Sequence, residues 1–251
     1  VDEKWVVVAV SYSGNTEETV SAYREARDRS CRVFCVTTGG ELGRISNAGY
    51  TQRIPEGLQP RAALPILLSV TMGLTERVLG LEPTDFGRVS ENVQRNQEVW
   101  GSHIDRPETL ASEIYGSVPL FLAQGHLVPV AYRAKCQFNE NAKYSAFSLE
   151  MPEANHNEIE ASVSYQRFAI RPVFLESSFQ SERMSRRYEA TRAVMSTERS
   201  MKLTIPSENR LDEMLSLTHY LDMVSLELAL LHGVDPVGVD RISELKSRLA
   251  G

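Results

Sequence analysis

Residues 4–10, KWVVVAV, are almost unbroken apolar, the pattern of a strand covered on both faces. Residues 16–29 then place their apolar positions at helical spacing. Asn15, with Glu18 three positions on, reads as an N-cap and capping box. Residues 31–36, CRVFCV, form a second short apolar strand closed by TTGG. A short helix over 42–48, an edge strand over 52–55 and a helix over 60–79 follow. The last of these carries Arg61, Leu64, Leu67, Leu68 and Thr71 along one side. Residues 84–103, rich in Glu, Arg and Asn, read as weakly apolar helices bridging two halves.

A second alternation of strands and helices begins near Val118. VPLFLA reads as a strand, residues 127–141 as a helix, RFAIRPVFLES as a buried strand, 182–195 as a charged helix and SMKLTIPS as another strand. The longest helix covers 211–232 with a stripe of Leu217, Leu221, Val224, Leu228 and Leu231, and Gly233 as its C-cap. A final helix runs over 240–249. Strand, helix, strand at this spacing predicts parallel sheets with right-handed crossovers, an α/β fold of the doubly wound, flavodoxin-like type. The boundary between the halves falls within 80–117, dividing the chain into 1–100 with its connecting helices and 101–251.

The 251 residues are 42% hydrophobic and 24% charged, an ordinary globular composition. With 27 Lys and Arg against 33 Asp and Glu, the net charge of -6 argues against nucleic acid and membrane surfaces as partners. The three cysteines, Cys31, Cys35 and Cys136, fit a reducing cytoplasm better than a disulfide framework. A metal pair at Cys31 and Cys35 is disfavoured by the strand pattern around them. No apolar run reads as a membrane span, and no signal peptide precedes the first strand. The chain has no initiator Met and opens almost inside a strand, which reads as a piece of a longer protein.

Where the first strand ends stands Ser11-Tyr12-Ser13-Gly14-Asn15-Thr16. In parallel sheets, ligands gather at the carboxyl ends of strands, and a helix N-terminus there suits a phosphate. Ser11, Ser13 and Thr16 would add hydroxyl donors, and Gly14 would let the backbone approach. The lysine of a Walker loop is absent. The same residues also serve as a plain strand-to-helix turn, so composition alone leaves cap and cradle open.

The order SYSGNT resembles the phosphosugar-binding loop of the sugar isomerase (SIS) domain superfamily. QPRAALP (59–65), FNENAK (138–143), PEANHNEIE (152–160) and the ending GVDP…RISELKSRL resemble, in the same order, the bifunctional phosphoglucose/phosphomannose isomerase family. The resemblance implies two SIS domains, the first incomplete at its N-terminus because the family's glycine- and serine-rich first loop is not in this sequence. It implies an aldose–ketose isomerase interconverting glucose 6-phosphate, and mannose 6-phosphate, with fructose 6-phosphate through an enediolate, with no metal and no cofactor. By resemblance, Ser11, Ser13 and Thr16 bind the sugar phosphate and Glu140 is the base. His156 opens the ring from the neighbouring subunit of a homodimer, Arg61 stabilises the enediolate, and Lys246 assists ring opening. Val239 stands where the family pattern often has threonine, which bears on the glucose/mannose choice, since valine cannot donate a hydrogen bond. The alternative is a non-catalytic SIS module that binds sugar phosphates.

Overall fold

The computed structural model describes residues 1–195 and 200–249. The chain divides into two compact units, Val1–Phe86 and Gly87–Gly251. The division precedes the Glu-, Arg- and Asn-rich helix that the sequence pattern groups with the first half.

In the first unit the elements are β1 (Val6–Val10), α1 (Glu17–Asp28), β2 (Arg32–Thr37), α2 (Gly40–Ile45), β3 (Thr51–Arg53) and α3 (Leu64–Leu79). The strands form a parallel sheet in the order β1-β2-β3, with Val6 opposite Arg32 and Cys35 opposite Thr51. Alternation along the strands sends Val7, Ala9, Val33 and Cys35 toward one face. There they meet Val20, Tyr23 and Ala26 of α1 and Leu42 of α2. Burial in this layer pushes the Cys35 thiol pKa up. Cys31 instead donates its thiol to the Asp2 carbonyl. α2 begins two residues earlier than its pattern suggests, and Arg61 lies in a 3₁₀ turn, Pro60–Ala63, ahead of α3 rather than on it.

In the second unit follow α4 (Phe86–Glu98), whose first residue closes the first unit, α5 (Pro107–Ile114), β4 (Val118–Ala123), α6 (Val128–Glu140), β5 (Phe147–Glu150) and α7 (Glu158–Ala161). Then come β6 (Ile170–Leu175), α8 (Glu182–Met195), β7 (Met201–Leu203), α9 (Arg210–His232) and α10 (Asp240–Leu249). The four strands are parallel in the order β5-β4-β6-β7. Phe121, Ala123, Val173 and Leu175 face α5, α6 and α9. Leu120, Leu122 and Phe174 face Met151, Ala154 and Tyr165 of the β5–β6 crossover and Tyr188 of α8. The sheet is therefore covered on both sides, as the apolar VPLFLA run requires.

Within α9, Leu217, Leu221, Val224 and Leu228 are buried, but Leu231 is 45% exposed as the helix passes the sheet end. Gly233 caps α9 at φ 70. Two helices, Pro60–Leu79 and Arg210–His232, are long and apolar enough by composition to cross a membrane, contrary to the expectation from the sequence. Half of the apolar window of Arg210–His232 is buried inside the fold, which accounts for its composition.

Candidate active site

At the carboxyl end of β1 the chain turns back through a loop laced to the loop after β2. Ser11 is buried; its Oγ pairs with Thr16 Oγ1 at 2.9 Å and accepts the Gly14 N–H at 3.1 Å. The Thr38 N–H and hydroxyl both donate to the Tyr12 carbonyl, at 2.9 and 2.8 Å. Leu42 N–H donates to the Gly14 carbonyl at 2.8 Å. Gly14 sits at φ 70, where a Cβ would stand 1.9 Å from the Gly39 carbonyl oxygen. Only glycine fits there, because both the conformation and the approach exclude a side chain.

Asn15 does not cap α1. Its Oδ1 accepts the Glu41 N–H at 2.9 Å, at the start of α2. The N-cap is Thr16, with extended backbone and no side-chain cap bond. A tertiary hydrogen bond has taken the amide that the local rule assigns to the helix. The leading amides of α1 are thus left uncapped by side chains beside the exposed residues Ser13, whose Oγ accepts the Asn15 N–H at 3.2 Å, and Thr16, the arrangement that suits an anion. Downstream of β3, Leu58 N–H donates to the Tyr12 hydroxyl at 2.9 Å, tying the approach to half-buried Arg61 to the same edge of the sheet.

In the second unit, half-buried Glu140 is the last residue of α6. The flanking amides fix the helix end: Asn139 Nδ2 donates to the Tyr144 carbonyl and Asn141 Nδ2 to Ser225 Oγ on α9, each at 2.8 Å. Arg133 and Asp222 join the same two helices at 2.6 Å. Burial pushes the Asp222 carboxyl up, and its hydrogen bond and charge pairing with Arg133 pull it back. The Tyr144 hydroxyl accepts the Gly116 N–H at 2.7 Å. Gly116 leads into β4, so Glu140 stands at the amino edge of the sheet.

Lys143 joins this end of α6 to the segment before α10. Its ammonium donates to the carbonyls of Glu140, Gly238 and Asp235 at 2.6, 2.7 and 2.9 Å. Val239, half-buried, follows Gly238, and its carbonyl accepts the Ser243 N–H at 3.0 Å, opening α10. The structure therefore brings Glu140 and Val239 together. Lys246 lies further along α10 and is exposed.

His156 is placed apart from them. It is exposed and ends the turn Glu153–His156, whose Ala154 packs on the face of the sheet opposite α6. Neighbouring Asn155 donates to Thr191 Oγ1 of α8 at 2.8 Å. Within one copy, the sheet lies between Glu140 and His156.

A cluster at the carboxyl edge escaped the sequence reading. Glu213, fully buried at the start of α9, meets His126 Nε2 at 2.7 Å and accepts from Ser177 Oγ at 2.6 Å and Ser178 N–H at 2.7 Å. His126 follows β4 and Ser177 and Ser178 follow β6, the adjacent strands between which the strand order reverses, while Glu213 comes from the helix after β7. Polar residues directly after two apolar strands are the signal that could have found them.

The family described as the bacterial phospho-glucose isomerase C-terminal SIS domain matches residues 104–249, more than half of the chain. The bifunctional phosphoglucose/phosphomannose isomerase of Thermoplasma volcanium is 33% identical over 255 residues, covering 100% of this chain and 79% of that protein.

The chain belongs to the bifunctional phosphoglucose/phosphomannose isomerase family.

The D-glucosamine-6-phosphate 4-epimerase of Sulfolobus acidocaldarius is 37% identical over 180 residues, 70% of this chain and 57% of that protein. Among solved structures, a glucose-6-phosphate isomerase like protein from Thermus thermophilus matches with a TM-score of 0.66 at 19% identity, over 98% of this chain and 79% of the other. At that identity the likeness speaks for the α/β fold alone.

Proposed function

We propose that the chain is an aldose–ketose isomerase acting on glucose 6-phosphate, mannose 6-phosphate and fructose 6-phosphate. The observation that carries this reading is its relation, over its whole length, to isomerases of that name, beside the FNENAK and PEANHNEIE stretches that resemble the family. Ser11, Ser13 and Thr16 hold the phosphate at the uncapped start of α1. Glu140 takes the C2 proton of the open aldose; the electron pair forms the C1–C2 double bond and the aldehyde oxygen becomes an enediolate oxygen. Arg61 stabilises that charge. Glu140 returns the proton to C1 while the O2 proton passes to O1, leaving the C2 carbonyl. His156 opens the ring and Lys246 assists. These steps use protein groups throughout, with no metal or cofactor.

The placement of Glu140 and His156 on opposite faces of one sheet supports a homodimer in which each site takes its histidine from the second copy. The division into a partial first SIS domain over 1–100 and a second over 101–251 belongs to this reading, as does a cytoplasmic location, which the unpaired thiols of Cys31, Cys35 and Cys136 suit. The 37% relative favours one second reading, a 4-epimerase of glucosamine 6-phosphate. Assay against both substrates decides. Conversion of glucose 6-phosphate to fructose 6-phosphate supports the isomerase; turnover of glucosamine 6-phosphate alone overturns it.

A further inference from the structure

We propose that Lys143 is a positioning residue that sets the catalytic glutamate and the substrate-choosing loop in register. The inference rests on Glu140 as the base and extends that reading to a residue with no assigned role. Lys143 sits at φ 52, in the left-handed region that side chains other than glycine and asparagine rarely adopt. A lysine held there points to a constraint beyond turning the chain. Its ammonium has three N–H donors. Three short bonds use them, to the carbonyls of Glu140 at 2.6 Å, Gly238 at 2.7 Å and Asp235 at 2.9 Å, with a fourth carbonyl, Asn141, at 3.5 Å.

Two of these acceptors belong to the end of α6 and two to a segment more than ninety residues on. The α6 carbonyls carry the negative end of the helix dipole, so a cation there is favoured twice, by the dipole and by the hydrogen bonds. The far pair immediately precedes Val239, whose carbonyl opens α10, the helix of Lys246. One ammonium therefore fixes the distance between the base and two other assigned positions without touching substrate. Surrounding bonds hold the near side rigid: His232 Nδ1 pairs with the Ala142 carbonyl at 2.8 Å, and Asn139 holds Tyr144. On the far side, Val234 packs against the core, Lys143 holds the carbonyls of Asp235 and Gly238, and every residue of α10 beyond them lies exposed. A shift of about 1 Å in such a frame costs on the order of 100-fold in rate.

The test compares Lys143→Met, which keeps the stem and removes the donors, with Lys143→Ala in the full chain. The expected result for Lys143→Met is a fall in kcat of about 10- to 100-fold with KM for fructose 6-phosphate changed less than about threefold. Amide hydrogen exchange should quicken at 235–241 and stay unchanged in the sheet. The side chain is exposed, so propylammonium at tens of millimolar, about the size of the removed stem, should restore part of the Lys143→Ala rate, whereas propanol should not. An unchanged kcat, or an exchange increase spread evenly over the second unit with no rescue by the amine, overturns the proposal. Failure of the base assignment is read elsewhere: full turnover by Glu140→Gln removes that reading, while the exchange response at 235–241 judges the clamp by itself.

Discussion

Glu140 and His156, sixteen positions apart, stand on opposite faces of the second sheet, one ending α6 and the other ending the turn after β5. On the proposed reading, a base and an acid so placed act on one C1–C2 pair from two different copies. Glu140→Gln and His156→Ala should each abolish isomerisation. Coexpressed, the two chains should regain about a quarter of the wild-type rate, because random pairing makes half the dimers mixed and each has one intact site of two. No recovery in purified mixed dimers would contradict the shared site.

The loop after β1, which is proposed to hold the phosphate, makes a sterically absolute demand at Gly14. Gly14→Ala places a methyl group against the Gly39 carbonyl at a positive φ. The first unit should lose about 1–3 kcal/mol of stability, and fructose 6-phosphate should bind about tenfold more weakly. Thermal unfolding and titration calorimetry read the two effects. Ser13→Ala, which removes one exposed hydroxyl, should weaken binding without the stability loss.

Val239 tests the choice of epimer. Val239→Thr adds a hydroxyl beside the Lys143 clamp at nearly constant volume. The ratio of mannose 6-phosphate to glucose 6-phosphate turnover should rise severalfold. An unchanged ratio excludes this position from substrate choice.

His219 makes stability depend on pH. Its ring lies 5.3 Å from Trp100 and its Nε2 pairs with Gln97 Oε1 at 3.2 Å. Burial holds its pKa below the ordinary imidazole value, partly offset by the Asp222 carboxylate. The unfolded chain then binds a proton before the folded one does. Stability contributed by the neutral ring is present above about pH 6.5 and declines as pH falls below it. His219→Gln should flatten that decline in chemical denaturation curves measured between pH 7.5 and 5.5.

Much of this architecture was legible in the sequence. The strands β1, β2, β4 and β6 announce themselves as apolar runs, and α8 and α10 match their pattern to the residue; the run of β4 is buried on both faces, whereas in β1 only Ala9 is buried and Val6, Val8 and Val10 stay half-buried. β5 was not visible: FSLE is four residues at a sheet edge, and its Phe147 is 57% exposed. α5 was missed although Pro107 at its first turn is a helix-start signal. Asn15 was misread because local capping rules do not know about Glu41, twenty-six residues on. The role of Lys143 lies further beyond pattern, since its acceptors at Asp235 and Gly238 meet it only in the folded unit. The assigned roles of Glu140, His156 and Arg61 came from resemblance, since an acid at a helix end, an exposed histidine and an arginine in a turn carry no local mark of chemistry.

The central claim is that Glu140 carries the proton between C1 and C2. Glu140→Gln, assayed for fructose 6-phosphate turnover in deuterated buffer alongside calorimetric binding, tests it most directly. The account predicts a loss of turnover and of deuterium incorporation at C1 of at least about 100-fold, with affinity for fructose 6-phosphate kept within about threefold. Turnover at the wild-type rate, with deuterium still entering C1, would contradict it.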